Sequence, residues 1–153
     1  MAQPPPRPGA SPPSMLTLVR SFFTSGALNR CAMLSPSNTH ALVIEDDMII
    51  ALEVEHLLRE LGYRSVDIAS TPAQALQQAA ARKPDLITAD VRIVGGTGIE
   101  AVKAITDRLG EIPYFYVTGN VDMLKGEHPP AVVEKPINPS EFRRACACVV
   151  GSA

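Results

Sequence analysis

No apolar run in this chain approaches the roughly 20 residues needed to cross a bilayer, so the sequence offers no membrane-spanning helix. It also lacks a strong charge of either sign. The net charge of −2 gives no electrostatic case for nucleic-acid binding. Cysteine is scarce: Cys31, Cys146 and Cys148 are odd in number and make no CxxC spacing. That argues against a disulfide framework or a zinc site and fits a reducing, cytoplasmic compartment. There is no internal repeat, and no glycine-rich phosphate loop follows the first apolar segment. What is present is 153 residues of ordinary composition, 46% hydrophobic and 20% charged. That is enough for one domain with its own hydrophobic core.

Proline and charge are unevenly spread. Residues 1–38 hold seven of the 14 prolines, and they contain Arg7, Arg20 and Arg30 but no acid. The remainder has 14 − 3 = 11 basic against 16 acidic residues, a net −5. Residues 1–38 are therefore read as a Pro-rich, flexible N-terminal extension, polyproline-like at its start. Within it, Met15–Phe23 has the spacing of a short amphipathic helix. Its Ser/Arg content resembles a transit peptide, but equally an ordinary tail. Met33 leaves open that translation starts there.

From His40 the pattern becomes regular. Ala41-Leu42-Val43-Ile44 runs straight into Glu45-Asp46-Asp47. A buried parallel strand has such an uninterrupted apolar run, because both its faces are covered. Unpaired charge is too costly to bury, so the acids are expected where the strand emerges. They form either a site for a hard cation such as Mg2+ or a solvated turn that caps the next helix. Met48–Leu61 follows with apolar residues at 50, 54, 57, 58 and 61 and a Glu55/Arg59 pair on its outer face. Arg64–Ala69 reads as a second strand. Thr71-Pro72-Ala73-Gln74 opens a helix with a capping box, and Pro84 ends it. Asp85–Asp90 is a third strand, again ending in a carboxylate. Thr97–Glu100 is a second capping box, ahead of a helix to Leu109. Pro113–Val117 is a fourth strand, ending at Thr118. Gly126, Pro129 and Pro130 limit any following helix to a turn or two near Asp122–Lys125. Ala131–Glu134 is the fifth strand, and Asn138-Pro139-Ser140-Glu141 opens the last helix, with Phe142, Ala145, Cys146 and Val149 as its buried stripe. This strand–helix alternation implies an α/β fold, a parallel sheet with helices on both faces.

In such a sheet the carboxyl ends of all strands lie on one rim. Glu45-Asp46-Asp47, Asp90, Thr118 and Lys135 can meet there. Acids that hold a metal, one acid left as nucleophile, a hydroxyl and an ammonium are what phosphoryl transfer to an aspartate requires. The bland readings are turn residues for Asp90 and Thr118 and a helix cap for Asp47. Asp47 is taken as the cap. His40, His56 and His128 show no ligand spacing and are read as surface residues.

Four segments, each at a strand end, carry a resemblance over residues 39–151: Val43-Ile44-Glu45-Asp46-Asp47, Asp85 to Val91, Val117-Thr118-Gly119 and Glu134-Lys135-Pro136. The chain resembles the receiver domains of response regulators in two-component signalling. The resemblance implies a flavodoxin-like doubly wound five-stranded parallel sheet in the order 2-1-3-4-5 over residues 39–153, a fold whose general description already includes a receiver. It implies Asp90 as phosphoacceptor, taking its phosphoryl group from a histidine kinase or phosphotransfer protein. Mg2+ would be held by Asp46, by Glu45 through water, by Asp90 and by the Arg92 backbone carbonyl. Lys135 would pair with Asp90, Thr118 would shift to the phosphoryl group, and Lys135-Pro136 would be cis. The protein would be no enzyme beyond its own phosphorylation and dephosphorylation.

Three features depart from the family pattern. Where many receivers have a proline shortly after the phosphoacceptor, Arg92-Ile93-Val94-Gly95-Gly96 follows Asp90 instead. Val132 stands where an aromatic switch residue is common. The fourth helix is short or irregular. Together with Tyr116 to Asn120, the last feature is similar to single-domain stress-response receivers with a Phe-Ala-Thr-Gly-aromatic motif, although Asn120 replaces the aromatic. Arg92 and Asn120 flank the site and, by analogy, tune hydrolysis of the acyl phosphate. The expected function is a Mg2+-dependent phosphoacceptor that works through an unspecified downstream protein or as a phosphate sink or relay. The alternative is a phosphorylation-independent protein-binding module on the same fold.

Overall fold

The structure, a computed structural model, describes residues 39–151. The Pro-rich extension, with Met15–Phe23 and Cys31, lies outside the described residues. Five parallel strands, β1 (His40–Ile44), β2 (Ser65–Ala69), β3 (Leu86–Ala89), β4 (Tyr114–Thr118) and β5 (Val132–Glu134), form one sheet in the order β2-β1-β3-β4-β5. This is the anticipated 2-1-3-4-5 order. The strand order reverses between β1 and β3, and at that point their carboxyl ends open a crevice.

Alternation along each strand explains the uninterrupted apolar runs. Ala41 and Val43 face one core layer, with Phe115, Val117, Val133 and the helices α1 (Met48–Glu60) and α4 (Pro139–Gly151). Leu42 and Ile44 face the other, with Ile87, Tyr116 and the helices α2 (Pro72–Ala81) and α3 (Gly98–Leu109). Phe115 and Phe142, both fully buried, meet edge to face at 5.2 Å between ring centroids.

Helix starts follow their capping chemistry. Asp47 Oδ1 accepts from the N–H groups of Ile49 and Ile50. The Thr97/Glu100 box is complete in both directions. The Thr71 box is only half formed. Thr71 accepts from Gln74 N, but the Gln74 carbonyl turns to Ser70 N and Oγ instead of Thr71. The fourth helix is short and irregular as expected, a single 3-10 helix, η1 (Val121–Leu124), and two further features differ from expectation. The loop after β3 holds a two-residue antiparallel hairpin, Arg92–Ile93 against Gly96–Thr97, turned at Gly95 with φ +81, a backbone region open to glycine. His40 is not a surface residue: it is 2% exposed, with its ring against Ser65 Oγ at 2.9 Å and Asp67 Oδ2 at 3.2 Å. Those neighbours come from β2, so the polar environment that permits burial is invisible in local sequence.

Two substitutions test this packing. In urea unfolding, Phe142→Ala should cost about 3 to 5 kcal/mol through the cavity it leaves. Thr97→Ala should cost about 1 kcal/mol through loss of the cap.

Candidate functional site

The crevice at the β1/β3 carboxyl ends gathers the predicted residues. Glu45 follows β1 directly and stays tied to the sheet, its N–H donating to Ala69 O. It is only 3% exposed, so the first of the three acids does not emerge into solvent as expected. Its burial is compensated. Oε1 accepts from Asp47 N at 3.0 Å, and Oε2 accepts from Lys135 Nζ at 2.7 Å. Asp46 next to it is exposed. Asp90 is 7% exposed. Its N–H donates to Ile44 O, Oδ1 accepts from Arg92 N at 3.3 Å, and Oδ2 accepts from Lys135 Nζ at 2.8 Å.

Lys135 therefore bridges two carboxylates. The sequence reading paired it only with Asp90; its contact with Glu45, 90 positions away, has no local signal. Burial lowers the Lys135 pKa, but the hydrogen bonds to Asp90 and Glu45 outweigh it and hold the ammonium above its ordinary range. Burial likewise pushes Glu45 up, against the pull of Lys135 and Asp47 N–H.

Thr118 ends β4, fully buried. Its hydroxyl accepts from Asn120 N at 3.0 Å, and its carbonyl accepts from Lys135 N at 3.1 Å. The Lys135-Pro136 bond is cis. Gly98 lies so close to Asp90 O that a Cβ there would collide with it. The glycine is thus a structural requirement of the phosphoacceptor position expected for Asp90, one that its reading as a helix start did not reveal. Ile49 (79% exposed) and Leu52 are also apolar residues on the outer face of α1. Their place outside the stripe 50, 54, 57, 58, 61 is the signal that could have singled them out.

Carboxylate oxygens of Glu45, Asp46 and Asp90 lie within 4.8 Å of one another. Three hard oxygen donors suit Mg2+, whose ligands at about 2.1 Å stand about 3 to 4 Å apart in an octahedron. Three carboxylates and one ammonium leave a formal charge of −2, which a divalent ion balances. The donor set fits the ion with a small closure.

The family model for the response regulator receiver domain matches residues 41–147. The phyllosphere-induced regulator PhyR of Methylorubrum extorquens is 34% identical over 107 residues, covering 67% of this chain and 40% of that protein. The solution structure of the receiver domain of Erythrobacter litoralis PhyR aligns with a TM-score of 0.69 at 30% identity, over 74% of this chain and 91% of that one. The anti-anti-sigma factor PhyR of Bartonella quintana aligns at 0.71 and 27% identity, over 89% of this chain and 56% of that one. The chain spans less than half the length of the curated relatives PhyR, YvrH and PdtaR. Among the described residues no helix is long and apolar enough to cross a membrane.

Lys135→Met should destabilise the protein at neutral pH by on the order of 3 kcal/mol, because two buried carboxylates lose their cation. The pH dependence has a definite sign. Lys135 is raised above 10.5, so its stabilisation is full below that pH and is lost as the pH rises through the folded value. Glu45 is raised above 4.5, so its ionisation costs stability as the pH rises past that point. Denaturant midpoints between pH 4 and 11 should show the variant recovering toward acid and missing the alkaline loss assigned to Lys135. In urea unfolding, Gly98→Ala should cost about 1 to 3 kcal/mol by overpacking against Asp90 O.

Proposed function

The chain belongs to the response regulator receiver domain family, and on that premise we propose that Asp90 accepts a phosphoryl group from a phosphohistidine of a kinase or phosphotransfer protein. The observation that carries this reading is the Lys135 ammonium within hydrogen-bond distance of both Asp90 and Glu45. An ordinary turn aspartate has no need of a buried lysine delivered from another strand.

In this reading an Asp90 carboxylate oxygen forms the new bond to phosphorus while the phosphorus–nitrogen bond of the donor breaks, and its electron pair returns to the imidazole. Bound by Asp46, Asp90, the Arg92 carbonyl and, through water, Glu45, Mg2+ supplies charge neutralisation for the transferring group. Lys135 shifts its hydrogen bond from Asp90 Oδ2 to a phosphoryl oxygen while Glu45 keeps hold of it. The Thr118 hydroxyl turns toward the same group, which requires the β4–η1 loop to move. A charge-driven shift of one loop is how such a switch reports its state. Val132, in place of an aromatic, leaves Thr118 as the principal moving group.

The protein is a cytoplasmic signalling component in this reading, with residues 39–153 as the receiver and the extension before it. Its downstream contact is with a protein, and nucleic acid is not involved. The name of the Bartonella relative, an anti-anti-sigma factor, supports an anti-sigma factor as the kind of partner and a place in stress signalling. Phosphate sink or relay is the other role compatible with the same chemistry.

Incubation with acetyl phosphate and Mg2+ should add one phosphoryl group, seen by intact mass, and the adduct should be absent in Asp90→Asn and sharply reduced in Asp46→Ala. An unmodified wild type, or an Asp90→Asn variant that labels equally, would overturn the assignment and leave the phosphorylation-independent binding module.

A further inference from the structure

Away from the site, the sheet has an uncovered stretch. Because η1 is a 3-10 turn where a full helix is usual in this kind of fold, no helix among the described residues lies over the Val132 face of β5, and α3 borders that face of β4. Tyr114 is only half buried, and Val132 on the neighbouring strand is 38% exposed. Two adjoining hollows of about 650 and 270 Å³ share Thr106 of α3 and Tyr114 of β4; the smaller lies along this side, and the larger runs round the amino-terminal end of β4 to Val149 of α4. The larger is lined mainly by apolar side chains, Ile112, Pro113, Tyr114, Pro130 and Val149. Two acids stand on the walls, Glu111 in the larger hollow and Glu127 in the smaller. The nearby Lys103 is paired with Asp107 at 3.0 Å, so its charge is already countered.

We propose that the groove is filled from within the chain, by the apolar, arginine-bearing stretch Met15–Phe23. Three observations select this occupant. The first is position. His40 O accepts from Asp85 N, and Pro113 O accepts from Ile87 N. Thr39, where the extension joins the fold, therefore lies on the same rim as the mouth of the groove. The two are about 10 Å apart across two strand spacings of roughly 4.8 Å. The 15 residues from 24 to 38 reach up to about 50 Å. The second is pattern. Leu16, Val19, Phe22 and Phe23 share the spacing of one helical face, so the sequence offers an apolar face to set against the apolar lining of the larger hollow. The third is charge. Residues 1–38 carry Arg7, Arg20 and Arg30 and no acid, whereas the remainder nets 11 − 16 = −5, and the groove itself presents Glu111 and Glu127. A tethered segment also needs little intrinsic affinity, since the linker holds it at about millimolar effective concentration. The proposal does not depend on phosphoryl chemistry at Asp90.

Hydrogen exchange on the full chain, read by mass spectrometry over residues 16–23, tests it. These amides should exchange at least about ten-fold slower than an unstructured peptide. The protection should disappear in Phe22→Asp, which changes the segment without touching the folded part. It should also disappear in Thr106→Arg, which fills the groove from the other side. Unprotected amides in the wild type would overturn the proposal in favour of a free tail. Protection that survives Thr106→Arg in a folded variant would place the segment elsewhere. Protection that rises with protein concentration would show the groove of a second copy as its seat.

Discussion

The Lys135 ammonium holds two buried carboxylates, Glu45 and Asp90, with bonds of 2.7 and 2.8 Å. Removing it would leave uncompensated charge in a site where the effective dielectric is well below that of water. Much of the architecture is needed to deliver these three groups to one point. They come from the ends of β1, β3 and β5, at sequence separations of 45 and 90. Only a parallel sheet aligns those ends on one rim. The reversal of strand order between β1 and β3 then opens the crevice in which the carboxylates face each other. The backbone bond from Lys135 N to Thr118 O sets β5 beside β4 just where the lysine leaves the strand. The collision that any Cβ at Gly98 would make with Asp90 O shows how closely α3 is drawn up behind the same residue.

The fold was legible in the sequence because its signals are local. Strands covered on both faces appear as continuous apolar runs, and Thr97/Glu100 caps a helix with chemistry contained in four residues. Legibility failed where the deciding partner comes from another strand. His40 was taken for a surface residue because its partners Ser65 and Asp67 belong to β2. Glu45 was placed where β1 emerges, as a metal residue or part of a solvated turn, and its burial was not foreseen because its cation arrives from β5. Gln74 fits a capping box by type, but Ser70 N and Oγ compete successfully for its carbonyl. The hairpin after β3 has no signal in the sequence because two residues per strand give no periodicity.

The departures from the family pattern have physical consequences around the site. With no proline in Arg92-Ile93-Val94-Gly95-Gly96, every N–H of this loop is available, and that of Arg92 bonds Asp90 Oδ1. The following residues fold back as a hairpin. Val132 has neither the size nor the hydroxyl of a tyrosine, and it lies partly exposed on the edge strand. The Thr118 hydroxyl is engaged by Asn120 N, so the resting loop is latched by one hydrogen bond, worth about 1 kcal/mol net. In the proposed reading, a charge-assisted bond to a phosphoryl oxygen would be stronger than such a latch.

One strand links this latch to the open side of the sheet. Side chains two apart on a strand share a face. Thr118, Tyr116 and Tyr114 therefore line one face of β4 from the site rim toward the opposite rim, and Tyr114 and Tyr116 meet edge to face at 5.7 Å. In a fold with a full helix over this face, a displacement of Thr118 would be absorbed by helix packing. Here the cover is shared by α3 and by η1, which contributes Leu124 as its buried residue. Tyr116 is 3% exposed between them, so on this face β4 is held firmly up to Tyr114, which is only half buried. In the proposed reading, a move of Thr118 would be passed along this row of side chains to Tyr114, where the packing opens.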